Sequence, residues 1–351
     1  MTMSLEAMNR PGAPVTKMAK IGLWGATSSG KTTFLAALYV AANQSQGKWN
    51  IIGVDQPSVD FLVDNTQILT KERRFPSKTE GIQEYSWTIM GETERVVKHR
   101  WRKRTESVPL HFQLDLIDAS GRLFRGKEKD RAEEISEELE DIELDFDDPA
   151  ESVGESGDAF DRLVNHLTEC DGIVYLFDPL RENKDGDEFH YFQQALQNVT
   201  HRCMQNGRLA GRHLPHYLAV CITKLDSPKV FHTAHRRGYL TFDPDDPYLF
   251  PRVREDKAED LFRELCHLSP TRSALQVHDA IKTSFAPERV RYFATSAVGF
   301  YLSPTATRFQ ASSFQNVIPH PTQPGEYTIR GDIHPINVLE PLLWLGQVTR
   351  R

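Results

Sequence analysis

Apolar and polar positions along the chain predict strands that alternate with helices. Continuous apolar runs, typical of strands buried on both faces of a parallel sheet, are expected as strands at 20–24, 172–177, 217–222 and 290–294. Apolar residues at helical spacing predict helices at 33–42, 58–70, 160–167, 189–204 and 337–348. This alternation predicts an α/β fold of three layers, in which helices cover both faces of a mostly parallel, doubly wound sheet.

One hairpin interrupts the parallel pattern. Residues 82–89 and 108–117 alternate like strands, and the polar segment 91–107 between them reads as a loop. A short apolar run at 49–54 predicts a further strand. The loop carries Trp101 among basic residues, which are Arg95, Lys98, His99, Arg100, Arg102, Lys103 and Arg104. Such a tip is typical of a solvated loop, and it also suits an acidic partner or a nucleic acid.

We predict a flexible leader at 1–17 and one domain at 18–351 with two insertions. The first insertion, at about 127–158, is strongly acidic; its start suggests a solvated helix and its end suggests disorder. The second, at about 302–335, is rich in Pro, Thr and Gln. The acidic insertion either folds onto the basic hairpin or serves as an arm that binds a partner. The opposed charges also allow contacts between copies in a homo-oligomer.

Composition excludes several classes of protein. The chain has 351 residues, a net charge of −7 and a pI of about 6.0, which argues against nucleic acid as its main partner. The longest apolar runs fall short of the ~20 residues that a membrane span needs, and the N-terminus lacks the apolar core of a secretory signal. The four cysteines share no CxxC spacing, which argues against a zinc site or a disulfide framework. We therefore expect a cytoplasmic protein, with Cys221 as a small core residue.

A glycine-flanked loop between the first strand and the first helix is the strongest chemical signal. Residues 25–32 read Gly-Ala-Thr-Ser-Ser-Gly-Lys-Thr, which fits GxxxxGK[ST] in the strand–loop–helix context that this motif requires. Backbone N–H groups of such a loop surround phosphates, Lys31 reaches the β and γ phosphates, and the Thr32 hydroxyl ligates Mg²⁺. The predicted phosphate-binding residues are Gly25, Ser28, Ser29, Gly30, Lys31, Thr32 and Thr33.

Two further motifs follow at strand ends. Asp118-Ala-Ser-Gly121 places a carboxylate where it can hold Mg²⁺ and a glycine N–H where it can meet the γ phosphate. Thr223-Lys224-Leu225-Asp226 follows the apolar run 217–222, and the Asp226 carboxylate can accept two hydrogen bonds from guanine N1 and its exocyclic amine. The Lys224 stem can cover the face of the base.

A weaker signal follows the strand expected at 290–294. In Thr295-Ser296-Ala297, a backbone N–H from the turn can meet guanine O6, for which Ser296 and Ala297 are the candidates. The tripeptide has little specificity by itself.

These four motifs, in this order, resemble the TRAFAC class of P-loop GTPases, which includes the Ras-like small GTPases. The resemblance extends from about Lys20 to Val348. It implies a G-domain-like fold that binds GTP or GDP with Mg²⁺ and hydrolyses GTP. Thr223 stands where this class usually has asparagine, which weakens a contact that ties the loops together but keeps the base-reading Asp226. Residues 75–79 and 335–344 are also similar to bacterial double-GTPase proteins of conflict systems.

The resemblance also implies a switch threonine that closes on Mg²⁺ when the γ phosphate is present. Thr79 is the candidate, with Thr70 and Thr88 behind it. Ras-like enzymes carry a water-orienting glutamine after DxxG, but this chain has Arg122 there. We therefore expect slow intrinsic hydrolysis, with Lys31, Gly121 and Thr79 as the catalytic set, and regulation by a protein effector or a second GTPase. The alternatives are an ATP-hydrolysing P-loop enzyme and a nucleotide-binding structural partner with little hydrolysis.

Overall fold

The computed structural model describes residues 18–26, 29–77, 82–99, 102–119, 150–185, 188–270 and 272–350. The predicted leader at 1–17 and most of the acidic insertion lie outside these residues. The strands are β1 Lys20–Gly25, β2 Trp49–Gly53, β3 Ile82–His99, β4 Arg102–Ala119, β5 Gly172–Phe177, β6 Tyr217–Ile222, β7 Leu240–Phe242, β8 Pro251–Val253, β9 Val290–Ala294, β10 Val317–Pro319 and β11 Tyr327–Ile329. The helices are α1 Lys31–Gln44, α2 Gln56–Thr70, α3 Ala150–Glu169, α4 Pro179–Asp185, α5 Glu188–Gln205, α6 Pro228–Arg236, α7 Ala258–His267, α8 Ser273–Ser284 and α9 Glu340–Val348.

Seven strands form the central sheet in the order β2-β3-β4-β1-β5-β6-β9. The neighbours from β4 to β9 pair in parallel, whereas β3 runs antiparallel to both β2 and β4. The predicted mostly parallel sheet with one antiparallel hairpin strand is therefore confirmed. Because β1 lies between β4 and β5, the chain leaves β1 toward one edge of the sheet and later returns on its other side. Ligands bind at such a switch point in doubly wound sheets, outside the carboxyl ends of the strands.

Helices cover both faces of the sheet, which makes the three predicted layers. Alternate residues of each central strand point to opposite faces: Ile173, Tyr175 and Phe177 join the core beneath α3 and α5–α8. Val174 and Leu176 join the core beneath α1, α2 and α9. The central strands are apolar on both faces because both faces are covered.

The hairpin differs from its prediction. The segment 91–107, read as a loop, belongs almost wholly to β3 and β4, which pair from Ile82 with Ala119 to His99 with Arg102. Residues 92–99 and 102–109 pair only with each other, so they extend beyond β1 and β2 as a two-stranded ribbon. The prediction was wrong because two strands that pair only with each other, beyond the rest of the sheet, can form from a polar sequence that resembles a loop.

The structure also differs from the prediction at the start of two helices and within the second insertion. Residues 150–158, where the acidic insertion was expected to end in disorder, form the first half of α3. The last helix begins at Glu340 rather than at 337, with Pro341 in its first turn as expected. The insertion 302–335 contains the hairpin of β10 and β11.

Burial agrees with the expectation for Cys221. Cys221 is completely buried in the core, and all four cysteines are buried with free thiols. Within the described ranges, none of the helices has the length and the apolar character that a bilayer crossing requires.

Candidate functional site

The loop after β1 has the backbone of a tight cradle. A Cβ added to Gly25 would lie 2.7 Å from the Ser29 Oγ and 2.9 Å from the Leu176 carbonyl oxygen, so this position requires glycine. Gly30 has a φ of 95°, which is in the left-handed region that glycine adopts without strain. Gly30 is also the residue before α1, and no side chain in the described part of the chain caps that helix. The motif glycines therefore sit where the backbone demands them.

Two side chains of this loop are placed for an anion. The Lys31 Nζ donates to the carbonyl oxygens of Gly25 (3.2 Å) and Ala26 (3.3 Å), so the ammonium lies over the loop. The Ser29 side chain is 1% exposed, and its hydroxyl has no hydrogen-bond partner among the residues that the structure describes. Buried hydroxyls are normally satisfied, so this one fits a site that a polar ligand completes. Thr32 and Thr33 lie in the first turn of α1, and Ser28 lies outside the described residues.

Strand register brings the DxxG motif next to this loop. β4 pairs in parallel with β1, and Leu116 is opposite Leu23. Two residues further on, Asp118 is level with Gly25, one strand spacing of about 4.8 Å away. Gly121 and Arg122 lie outside the described residues, so their predicted roles stay predictions.

The same register separates the switch-threonine candidates. Thr88 pairs with Gln113, which pairs with Lys20 at the start of β1, so Thr88 lies about 17 Å from the carboxyl end of that strand. The Thr70 hydroxyl donates to the Thr66 carbonyl oxygen within α2 at 2.7 Å. Thr79 is outside the described residues, but β3 begins at Ile82, which pairs with Ala119 next to Asp118 at the carboxyl end of β4. Register therefore argues against Thr88 and leaves Thr79 as the candidate.

The Thr223–Asp226 motif follows β6 and is tied to its neighbours by hydrogen bonds. The backbone N–H and the hydroxyl of Thr223 both donate to the Phe177 carbonyl oxygen at 2.9 and 3.0 Å. The Leu225 N–H donates to the Thr295 carbonyl oxygen at 3.0 Å. Lys224 has a φ of 59°, which is uncommon for a residue with a side chain and concentrates at functional sites. Thr223 thus fixes the turn to β5.

Asp226 is a buried carboxylate with a single hydroxyl donor. Its side chain is 6% exposed, and its Oδ1 accepts from the Ser296 hydroxyl at 2.5 Å. Burial raises the pKa of Asp226, and the bond from Ser296 opposes that rise. A buried carboxylate gains when further donors arrive. The site is therefore suited to a ligand edge that presents N–H groups.

Hydrogen bonds in the turn after β9 reduce the number of candidate backbone donors to guanine O6. The Thr295 N–H donates to the Ile222 carbonyl oxygen at 2.7 Å, and the Ser296 N–H donates to the Ile336 carbonyl oxygen at 3.0 Å. The Ser296 hydroxyl, besides donating to Asp226, accepts from the Gly299 N–H at 2.8 Å. Of the three backbone amides in this turn, Ala297 is therefore the one without such a bond in the described part of the chain. Ser296 supports the carboxylate, and Ala297 is the candidate donor to the base.

Sequence reasoning missed Asp178, which follows β5. Its side chain is completely buried, and its Oδ1 accepts from the backbone N–H groups of Leu180 (2.9 Å) and Arg181 (3.2 Å) at the start of α4. Its Oδ2 accepts from the Lys224 Nζ at 2.5 Å. Asp178 therefore holds the lysine of the Thr223–Asp226 motif. An Asp–Pro pair directly after an apolar run is a signal for a helix start, but the sequence does not show what else the carboxylate binds.

Replacing Asp178 with asparagine separates its two roles. Asparagine keeps an oxygen that caps α4 but removes the charge that holds Lys224. We expect Asp178→Asn to keep the melting temperature near that of the wild type and to weaken GDP binding by about tenfold, the value of one charge-assisted hydrogen bond. Fluorescence titration with a labelled GDP measures the affinity. The control Asp178→Ala loses the cap as well and should also melt earlier; an unchanged affinity in both variants would contradict this role for Asp178.

The site residues lie at the carboxyl ends of the parallel strands. β1, β5, β6 and β9 are parallel neighbours. Their carboxyl ends are followed, in that order, by the loop at 25–32 (the phosphate loop), Asp178, the Thr223–Asp226 motif and the Thr295–Ala297 turn. The first and third of these lie two strand spacings, about 10 Å, apart. The topology, with a GxxxxGK[ST] loop between β1 and α1, defines a P-loop NTPase fold.

Comparisons with known proteins find only distant similarities, all among solved structures. No family model matches the chain, and no curated protein matches it in sequence. A structure of sup35 complexed with GDP shares 10% identity over 83% of this chain and 41% of that one, with a TM-score of 0.28. The GTPase-like domain of S. cerevisiae Ski7, bound to GTP, shares 13% identity over 84% of this chain and 46% of that one, with a TM-score of 0.30.

A third structure is the signal recognition particle receptor SRb-GTP/SRX complex from Chaetomium thermophilum. It shares 13% identity over 83% of this chain and 95% of that one, with a TM-score of 0.28. The chain spans less than half the length of the first two structures. These similarities are low, and the strand order and the loop geometry define the fold.

Proposed function

We propose that the chain is a Mg²⁺-dependent switch that binds GTP and hydrolyses it slowly to GDP and phosphate. The observation that carries this proposal is the buried Asp226 carboxylate, which lies at the same sheet edge as a glycine-shaped phosphate loop. The loop after β1 offers positive charge and backbone N–H groups. Asp226, after β6, offers an acceptor that suits the N–H donors of guanine. A nucleoside triphosphate has the matching polarity along its length.

At the phosphate end, the proposed roles follow from position. Lys31 leaves the Gly25 and Ala26 carbonyl oxygens and binds the β and γ phosphates, and the Ser29 hydroxyl, which has no partner within the described ranges, donates to a phosphate oxygen. Gly30 and the start of α1 supply backbone donors and the positive end of a helix dipole. We propose that Gly25, Ser28 and Thr33 complete this set.

The residues that would hold Mg²⁺ are Thr32, Asp118 and, in the GTP state, Thr79. The oxygen donors of this set suit a hard cation that keeps some of its water. When bound, the ion neutralises charge on the phosphate oxygens. Thr32 begins α1 directly beside the loop, and Asp118 is level with Gly25 on the neighbouring strand.

At the base end, Asp226 accepts from guanine N1–H and from the exocyclic amine, while Ala297 donates to O6. Adenine offers an acceptor at N1 and a donor in place of O6, so it would leave both groups unpaired. A site built on such hydrogen bonds rejects the wrong base strongly. Lys224, held by Asp178, lays its aliphatic stem along the base.

Hydrolysis is proposed to be slow because Arg122 replaces the water-orienting glutamine. Gly121 would donate its N–H to the γ phosphate, and a protein partner or a second copy of the chain would complete the water-activating group. The same replacement favours one alternative, which is a nucleotide-binding structural partner that turns over little GTP.

Phosphate release tests the proposal and separates it from its alternatives. We expect slow release of phosphate from GTP with Mg²⁺, none when EDTA removes the metal, and none from ATP. Faster release at higher protein concentration would identify a second copy as the missing activator. GTP binding without release would favour the structural partner, and release from ATP but not from GTP would refute the guanine-specific switch.

A further inference from the structure

A small cavity lies in the insertion 302–335, apart from the nucleotide site. Its volume is about 130 Å³, and besides one alanine it is lined by Tyr301, Ser303, Arg308, Gln310, Ser313 and Arg330. Pockets for drug-sized ligands span about 300–1,000 Å³, so this cavity is too small for a nucleotide. It is large enough for a group the size of a phosphate. The lining contains two guanidinium groups and no carboxylate.

Contacts with neighbouring residues fix the position of the Arg330 guanidinium group. Its guanidinium carbon lies 3.7 Å from the centroid of the Tyr301 ring, and its Nη1 donates to the Ser313 Oγ at 3.2 Å. Gly331 makes this stacking possible, because a Cβ there would lie 2.8 Å from the Tyr301 ring. The backbone is fixed as well, since the N–H groups of Arg330 and Gly331 both donate to Asn316 at 2.8 Å. The Tyr301 ring and the Ser313 hydroxyl orient the Arg330 guanidinium group without neutralising its positive charge.

Arg308 adds a second positive charge at the cavity. Its side chain is exposed, and it makes no hydrogen bond or ion pair with any other residue that the structure describes. Asp332, two residues after Arg330 in sequence, has its carboxylate paired with Arg73 at 3.5 Å. The cavity therefore concentrates uncompensated positive charge beside hydroxyl and amide donors.

We propose that this cavity binds a phosphate-class oxyanion, either inorganic phosphate or the phosphate end of a small monoester. Arginine forks match phosphate oxygens with paired hydrogen bonds. The Ser303 hydroxyl and the Gln310 amide supply donors for the remaining oxygens of a tetrahedral anion, whereas a planar carboxylate has too few oxygens to use them all. The Lys31 loop lies at the carboxyl end of β1, so this is a second anion site.

The test uses the full chain carrying Lys31→Ala, in which the phosphate loop no longer competes for phosphate. Calorimetric titration should detect one inorganic phosphate per chain, and adding Arg308→Met should weaken that binding by about tenfold or more. Arg212→Met removes another exposed arginine and should change nothing. Glycerol 3-phosphate, inorganic phosphate and acetate form the three ligand arms. Tighter binding of glycerol 3-phosphate would assign the monoester, whereas tighter binding of phosphate would assign the free ion.

Two results would overturn the proposal. One is that phosphate fails to bind the Lys31→Ala protein at millimolar concentration, or binds it equally well after Arg308→Met. The other is that acetate binds as tightly as phosphate. If Lys31→Ala does not fold, as judged by circular dichroism, the wild type is compared with Arg308→Met and Arg212→Met. Because GTP binding depends on Lys31 and this site on Arg308, the two proposals fail independently.

Discussion

Lys31→Ala should lower the affinity for GTP and GDP by about 100-fold or more and abolish phosphate release. The lysine ammonium lies over the Gly25 and Ala26 carbonyl oxygens, so it is already at the phosphate loop before a ligand binds. Charge-assisted hydrogen bonds are worth about 1.5–3 kcal/mol each, and two such bonds to phosphate account for the expected loss. Calorimetry with GDP measures the affinity directly.

The control for this variant is Lys71→Ala, which removes an exposed lysine just after α2. Its affinity should match that of the wild type, and both variants should keep the far-ultraviolet circular dichroism of the parent. If Lys31→Ala bound GDP as tightly as Lys71→Ala, the loop after β1 would not be the phosphate site.

Asp226→Asn should change the preferred base from guanine to xanthine. The carboxylate accepts two N–H donors of guanine, whereas asparagine offers one acceptor and one donor, which match xanthine N1–H and O2. Two charge-assisted hydrogen bonds lost by guanine correspond to a reduction in affinity of about 10²–10⁴-fold. Competition of GDP and XDP for a labelled nucleotide measures the ratio.

Ser296→Ala is the matched control for the base. It removes the hydroxyl that donates to the Asp226 Oδ1 but leaves the carboxylate in place, so guanine should remain preferred. If the Asp226→Asn variant still prefers guanine, Asp226 does not select the base, and the ATP-hydrolysing alternative is favoured.

The strands of the central sheet could be predicted from sequence where both of their faces are buried. β5, β6 and β9 have the predicted bounds because continuous apolar runs leave little ambiguity about where a buried strand begins and ends. The ribbon of β3 and β4 could not be predicted, since residues 92–99 and 102–109 pair only with each other and their sequence is polar.

The candidate site shows the same division between local and distant information. The loop at 25–32 and Asp226 could be proposed as site candidates from sequence because each belongs to a short motif after a strand. The partner of Lys224 could not be read in this way, because Asp178 is 46 residues away in sequence. The separate roles of Ser296 and Ala297 depend on a backbone pairing with Ile336. Such contacts arise only when the chain folds.

Titration of the purified, nucleotide-free protein with GDP, GTP and ATP in the presence of Mg²⁺ tests whether the chain selects guanine nucleotides. We expect one guanine nucleotide bound per chain and at least 100-fold weaker binding of ATP, since adenine leaves Asp226 and Ala297 unpaired. A folded protein that gives no binding heat with GDP and GTP, or that binds ATP as tightly as GTP, would contradict it.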